Sequence, residues 1–174
     1  MTKNLDKMGL NSIADRYQLF YIDLWGVVHN GVNLHDEAIN VLKQISRKKK
    51  DYVLLTNAPR PNSSVKKFLE KMGMEKEIRD HVFTSGEAAL NYLKKNFLNK
   101  FFFHVGPPRD FDLFKDFEKN KVSDIEKSEY ILCTGLFDDH DNDLVFYKNL
   151  FEKHLKKKMI LGELELRMLY ALVC

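Results

Sequence analysis

The chain has 174 residues, 44% of them hydrophobic and 30% charged, with 13 Phe, 7 Tyr and only 4 Pro, a composition that excludes intrinsic disorder. Lys plus Arg outnumber Asp plus Glu by 28 to 25, and a net charge of +3 provides no whole-molecule field for nucleic acid or an anionic membrane. At about 150 residues per domain, the length holds one ordinary domain, or a small domain with part of another.

Met1 to Lys7 leads into a polar run rather than a signal-type apolar region, and no stretch approaches the roughly 20 apolar residues that cross a bilayer. Residues 19–28, LFYIDLWGVV, are apolar on both faces and predict a buried parallel strand whose one charge is Asp23. Residues 35–49 place Ala38, Val41, Leu42 and Ile45 at helical spacing, with Asp36 and Glu37 at the start and Lys or Arg at the end, as the helix dipole favours. Residues 52–55 read as a second buried strand ending at Thr56-Asn57, and residues 63–72 as a helix closed by Gly73. Strand, helix, strand predicts a parallel pair with a right-handed crossover.

The alternation continues with a strand at 81–84, a helix at 86–96, a strand at 101–105 ended by Gly106-Pro107-Pro108, a helical segment at 110–119, a strand at 130–134 and a helix at 143–155. The apolar trio Met159-Ile160-Leu161 follows. The fold class is α/β. The lysine runs at 48–50 and 156–158 fall at helix ends, where solvated cations are common, so no nucleic-acid partner is expected. Of the two cysteines, Cys133 and Cys174, free thiols in a reducing cytoplasm are expected. The run from Asp138 to Asp143 lacks the Gly and distal Glu of a calcium loop and reads as a solvated loop with a helix N-cap.

In an open α/β sheet, ligands gather at the carboxyl ends of the strands. At the first such end Asp23 interrupts an apolar strand, a costly placement unless a metal, a donor cluster or solvent receives the carboxylate. At the second, Thr56-Asn57-Ala58-Pro59-Arg60 offers a hydroxyl, an amide and backbone N–H groups suited to phosphate oxygens. One carboxylate and one Thr-Asn pair, 33 positions apart across one helix, together point to a phosphate site.

These residues carry a resemblance. Residues 20–27, FYIDLWGV, resemble the first motif of the haloacid dehalogenase superfamily, and residues 54–59, LLTNAP, resemble its second. Thr84-Ser-Gly-Glu87, Phe103-His-Val-Gly106 and Ile131-Leu-Cys-Thr-Gly135 are similar to the subgroup with a large α/β cap, which includes p-nitrophenyl-phosphatase-like, nucleotide and sugar phosphatases. The resemblance implies the first half of a Rossmann-like three-layer core at 1–84, a partial α/β cap at 85–160 and a divergent tail at 161–174. It implies that Asp23 is the nucleophile that forms an aspartyl-phosphate, and that Asp23 with the Trp25 carbonyl ligates Mg²⁺. It further implies that Thr56 and Asn57 bind the phosphoryl group of a small phosphorylated metabolite. No membrane partner is implied, and an oligomer stays open.

Two departures accompany it. The family's phosphatases carry a second Asp two positions after the nucleophile as general acid and base, and here that position is Trp25. The family's third motif, a Lys, and its fourth, an acidic pair, lie downstream of the cap, whereas residues 161–174 read LGELELRMLYALVC. The expectation is a truncated or frameshifted phosphatase-type hydrolase, weakly active or inactive; the alternative is a degenerate, non-catalytic module that binds a ligand or partner.

Overall fold

The computed structural model describes residues 9–140 and 143–162. In chain order these form α1 (Asn11–Ala14), β1 (Leu19–Asp23), α2 (Asp36–Arg47), β2 (Asp51–Thr56), α3 (Asn62–Lys71), α4 (Lys76–Arg79), β3 (Val82–Thr84), α5 (Ser85–Asn96), β4 (Phe102–Val105), β5 (Lys121–Val122), β6 (Tyr130–Cys133), α6 (Leu144–Glu152) and β7 (Lys158–Leu161). The chain divides into two compact units, Met1–Leu55 with Leu69–Val82, and Thr56–Phe68 with Phe83–Cys174. The expected α/β class, with parallel sheets, is what the chain adopts.

In the first unit β1 and β2 pair in parallel, Leu19 opposite Asp51 through Asp23 opposite Leu55. Between them α2 has Asp36 and Glu37 in its first turn, Arg47 in its last, and Leu42 and Ile45 buried, so dipole and apolar stripe agree. The helix bonds to the sheet through Ser46, which shares a side-chain hydrogen bond with Tyr52, and Tyr52 stacks on His81 at 4.3 Å. The Leu54 N–H donates to the His81 carbonyl at 2.9 Å.

The buried strand expected over residues 19–28 differs in two ways. It ends at Asp23, and its residues alternate between exposed and half-buried, with Leu19 43% and Tyr21 68% exposed. The reason is topological: β1 stands at the end of the order β1-β2-β3, and one crossover helix covers one face. Tyr52 and Leu54 are buried on that face, while Leu55 on the other is exposed.

In the second unit the sheet order is β5-β4-β6-β7, every pair parallel. Period-two alternation sends Phe102, Tyr130, Leu132 and Ile160 to one face, packed with Leu90, Leu93, Phe97, Leu113, Phe114 and Phe117. It sends Val105, Ile131 and Cys133 to the other, against Tyr147 and Phe151 of α6. All four residues of β6 are buried, as in a parallel strand covered on both faces. Cys133 is a free, buried thiol, and Cys174 lies outside the described residues. Asp143 caps α6, its carboxylate accepting from the Phe146 N–H at 2.9 Å.

The helical segment expected at 110–119 is two 3₁₀ pieces, Pro108–Leu113 and Lys115–Asn120. Phe111, Phe114 and Phe117 recur every third residue, a period that three residues per turn aligns and 3.6 does not. Phe114 and Phe117 are buried, and both meet Phe102 edge-on. The two-residue strand β5 is too short to carry a period in the sequence.

Candidate functional site

Asp23 is the last residue of β1, exposed at the carboxyl end of the strand. One carboxylate oxygen, Oδ1, accepts the Leu24 N–H at 2.8 Å. Beyond it the chain turns on its own hydrogen bonds: the Gly26 N–H donates to the His29 carbonyl at 2.8 Å and the Val28 N–H to the Leu24 carbonyl at 2.9 Å. Gly26 has φ +74°, the left-handed region that glycine enters without steric cost. Leu24 and Val28 are buried anchors, whereas Trp25 is 62% exposed.

The Trp25 ring lies over Gly31, where a β-carbon would stand 2.5 Å from the indole, and meets His29 edge-on at 5.6 Å. His29 is buried, and its Nδ1 accepts the Gly31 N–H at 3.0 Å. Burial chiefly, and the nearby His35, push the His29 pKa down, against an upward pull from the Asp23 carboxylate. Asp23, Trp25 and His29 therefore share one turn of the first unit. His29 is a member that sequence reading passed over; its signal was the His-Asn-Gly turn directly after the apolar run.

In the second unit Thr56 is half-buried and Asn57 exposed. Thr56 Oγ1 accepts the Ala58 N–H at 3.3 Å. The first turn of α5 clamps this loop. Ser85 Oγ donates to the Asn57 carbonyl at 2.7 Å, the Gly86 N–H donates to the Ala58 carbonyl at 3.1 Å, and Thr84 Oγ1 donates to the Arg60 carbonyl at 2.5 Å. The same Thr84 oxygen caps α5 by accepting the Glu87 N–H at 2.8 Å, and Glu87 Oε2 accepts the Asn62 N–H at 2.9 Å. Thr-x-x-Glu is a capping-box spacing, so the signal for this clamp was in the sequence, although its use on the Thr56 loop was not.

Three further polar side chains of this unit had no role assigned to them from the sequence. His104 on β4 and Thr134 after β6 are buried, with His104 Nε2 and Thr134 Oγ1 2.8 Å apart. Asp110, also buried, shares a hydrogen bond with the Thr134 side chain and faces Arg60, with Nε and Oδ1 3.8 Å apart. The structure thus brings Thr56 and Asn57 onto one clamped loop with Arg60, and places Asp23 and Trp25 in the other unit. Asp23 is in register with Leu55, the residue before Thr56.

Oxygen donors suit Mg²⁺, and the Asp23 carboxylate and the Trp25 carbonyl are oxygen donors of that kind. The set fits in chemistry and is small in number: among the described residues no group of three or more His, Cys, Asp or Glu side chains could hold a metal ion. No helix among them is long and apolar enough to cross a membrane.

The sequence profile of haloacid dehalogenase-like hydrolases matches residues 20–119. A haloacid dehalogenase-like family hydrolase from Brucella suis 1330 superposes with a TM-score of 0.74 at 28% identity, over 88% of this chain and 56% of that one. A 4-nitrophenylphosphatase from Thermotoga maritima gives 0.61 at 23% identity, over 86% of this chain and 56% of that one. A glycerol phosphate phosphatase from Mycobacterium tuberculosis, crystallised with magnesium, gives 0.56 at 20% identity, over 82% and 43%. The chain therefore spans about half the length of these proteins. None of the curated proteins matches it in sequence.

Proposed function

The chain belongs to the haloacid dehalogenase-like hydrolase family, and from that premise we propose that it carries the first half of a phosphoryl-transfer site acting on a small phosphorylated metabolite. In this reading residues 1–84 are core, 85–160 a cap portion and 161–174 a divergent tail. The observation that supports it is the parallel register of Asp23 with Leu55, which sets the carboxyl ends of β1 and β2 side by side with Thr56 and Asn57 next in the chain. A cytoplasmic setting suits the free, buried Cys133.

In a site completed by the family's downstream Lys and acidic motifs, Asp23 is the nucleophile: its Oδ1 is engaged by Leu24, so Oδ2 would form the bond to phosphorus as the ester oxygen departs with its electron pair, and water would then cleave the aspartyl-phosphate to return the carboxylate. The Thr56 hydroxyl donates to a phosphoryl oxygen, and the Asn57 loop, pinned by Ser85 and Gly86, holds that donor in place. Asp23 and the Trp25 carbonyl would hold Mg²⁺, which when bound would supply charge neutralisation between the two anions. Trp25 stands where a general acid would protonate the leaving oxygen, and an indole cannot do so. Poor leaving groups then lose about 10²–10⁴ in rate, which directs this site to esters whose leaving group departs unprotonated.

Inorganic phosphate titrated into the isotopically labelled chain tests the reading. The Thr56 and Asn57 amide resonances are expected to move on a common saturation curve, and amides that stay in place at millimolar phosphate overturn the phosphoryl site.

A further inference from the structure

We propose that Arg60 is a third ligand-binding residue of the phosphoryl site, contributing its guanidinium to an anionic phosphoryl group, and that the buried chain His104, Thr134 and Asp110 positions it. The inference rests on the phosphoryl reading of Thr56 and Asn57. Arg60 is the one cation in Thr56-Asn-Ala-Pro-Arg-Pro-Asn-Ser-Ser64, and its side chain is 40% exposed.

Its backbone has little freedom. Pro59 and Pro61 flank it and are both buried, restricting the dihedrals on either side. Its carbonyl accepts from Thr84 Oγ1, and a β-carbon at Gly86 would stand 2.4 Å from its nitrogen, so the loop lies directly on the first turn of α5. A cation held in this way loses less freedom on meeting an anion than one on a flexible stem.

Asp110 orients the side chain. The donors and acceptors form an ordered chain: when the Thr134 hydroxyl gives its proton to Asp110, His104 Nε2–H donates to Thr134 Oγ1 at 2.8 Å. Gly106 makes room for this chain, since at φ +148° its β-carbon would stand 2.2 Å from Thr134 Oγ1 and 3.0 Å from His104 Nε2. The hydroxyl meets part of the Asp110 need for donors, and the carboxylate faces Nε of Arg60. A contact at Nε leaves the two terminal amino groups of the planar guanidinium to form a fork, the geometry that matches two oxygens of one phosphate.

The experiment is phosphate titration of the full chain, following the Arg60 Nε–Hε resonance beside the Thr56 and Asn57 amides, with Arg60→Gln, Arg60→Lys, Asp110→Asn and Thr56→Val. The Arg60 signal is expected to move with the same dissociation constant as the two amides. Arg60→Gln weakens binding about tenfold, and Arg60→Lys, which keeps the charge without the fork, by less. Asp110→Asn shifts the Arg60 signal before phosphate is added, a change that a stability loss alone would not produce. An Arg60 signal that stays still while the amides saturate overturns the proposal, as does an Arg60→Gln chain that binds like wild type while Thr56→Val does not. Amides that never move overturn the phosphoryl reading and this inference together. If Arg60→Gln does not fold, the wild-type Arg60 resonance decides alone.

Discussion

Two buried polar side chains of the second sheet, one with a partner and one without, make opposite predictions. His104 gives its ring to Thr134, and burial, aided by Lys121, pushes its pKa down to about 4. The fold therefore holds the neutral ring, and between about pH 6.5 and 4 the unfolded chain binds the extra proton, so stability is full above that window and is lost as pH falls through it. The loss from this one group is on the order of 3 kcal/mol. The raised pKa of Asp110 opposes it at the acid end, which makes His104→Gln the necessary comparison. Urea unfolding of the two chains at pH 7 and pH 5 should show the wild type losing more; identical losses would remove the assignment. Tyr130 has a buried hydroxyl without a hydrogen-bond partner, a cost of about 1–3 kcal/mol. Tyr130→Phe is accordingly expected to leave the urea midpoint unchanged or raise it, and a drop of more than about 1 kcal/mol would show that the hydroxyl has a partner.

At the scale of elements, the first turn of α5 does three things at once: it caps its own helix, binds the Thr56 loop and leaves space for Arg60. Thr84 is fully buried, and its hydroxyl both accepts from Glu87 and donates to Arg60. Thr84→Val keeps the shape and removes both bonds, so a loss of about 2–3 kcal/mol is expected. Gly86→Ala adds a methyl group where the Arg60 backbone stands, and overpacking against main chain costs about 1–3 kcal/mol or more. Thermal unfolding of the two variants separates these effects from an ordinary helix surface, where Gly→Ala stabilises by about 1 kcal/mol. A Gly86→Ala chain more stable than wild type would mean that the loop does not rest on the helix.

For the molecule as a whole, the expected rate follows from counting charges. A phosphate dianion beside Asp23 is opposed by Coulomb terms of several kcal/mol in a partly buried site. In the proposed site Mg²⁺ would have one side-chain carboxylate, weak for an ion that dehydrates reluctantly. Negligible turnover by the 174-residue chain is therefore expected. The measurement is Mg²⁺-dependent phosphate release from sugar phosphates, nucleotides and p-nitrophenyl phosphate, with no added loss in Asp23→Asn. Robust release that this substitution abolishes would mean that the missing charges are supplied, for instance by a second copy of the chain.

Much was legible in the sequence because it depends on neighbours along the chain. The period of residues 35–49 and the charges at its ends made α2 readable, and Thr56-Asn57 marked the end of β2, whereas the apolar run over 19–28 concealed that β1 ends at Asp23. Parallel pairing followed from strand, helix, strand, because a crossover of that length permits little else. What tertiary structure alone decided depends on which side of each element another covers. The same apolar alternation left Tyr21 exposed on β1 and buried Tyr130 on β6, because one strand ends its sheet and the other lies inside it with both faces packed. The segment after β4 took a tighter helix, which brings Phe114 and Phe117, three residues apart, onto Phe102 of the sheet. Arg60, Asp110, Thr134 and His104 are scattered over 75 positions, and no local period joins them; they meet because the Thr56 loop lies on α5 while β4 and β6 run in parallel, bringing their carboxyl ends together.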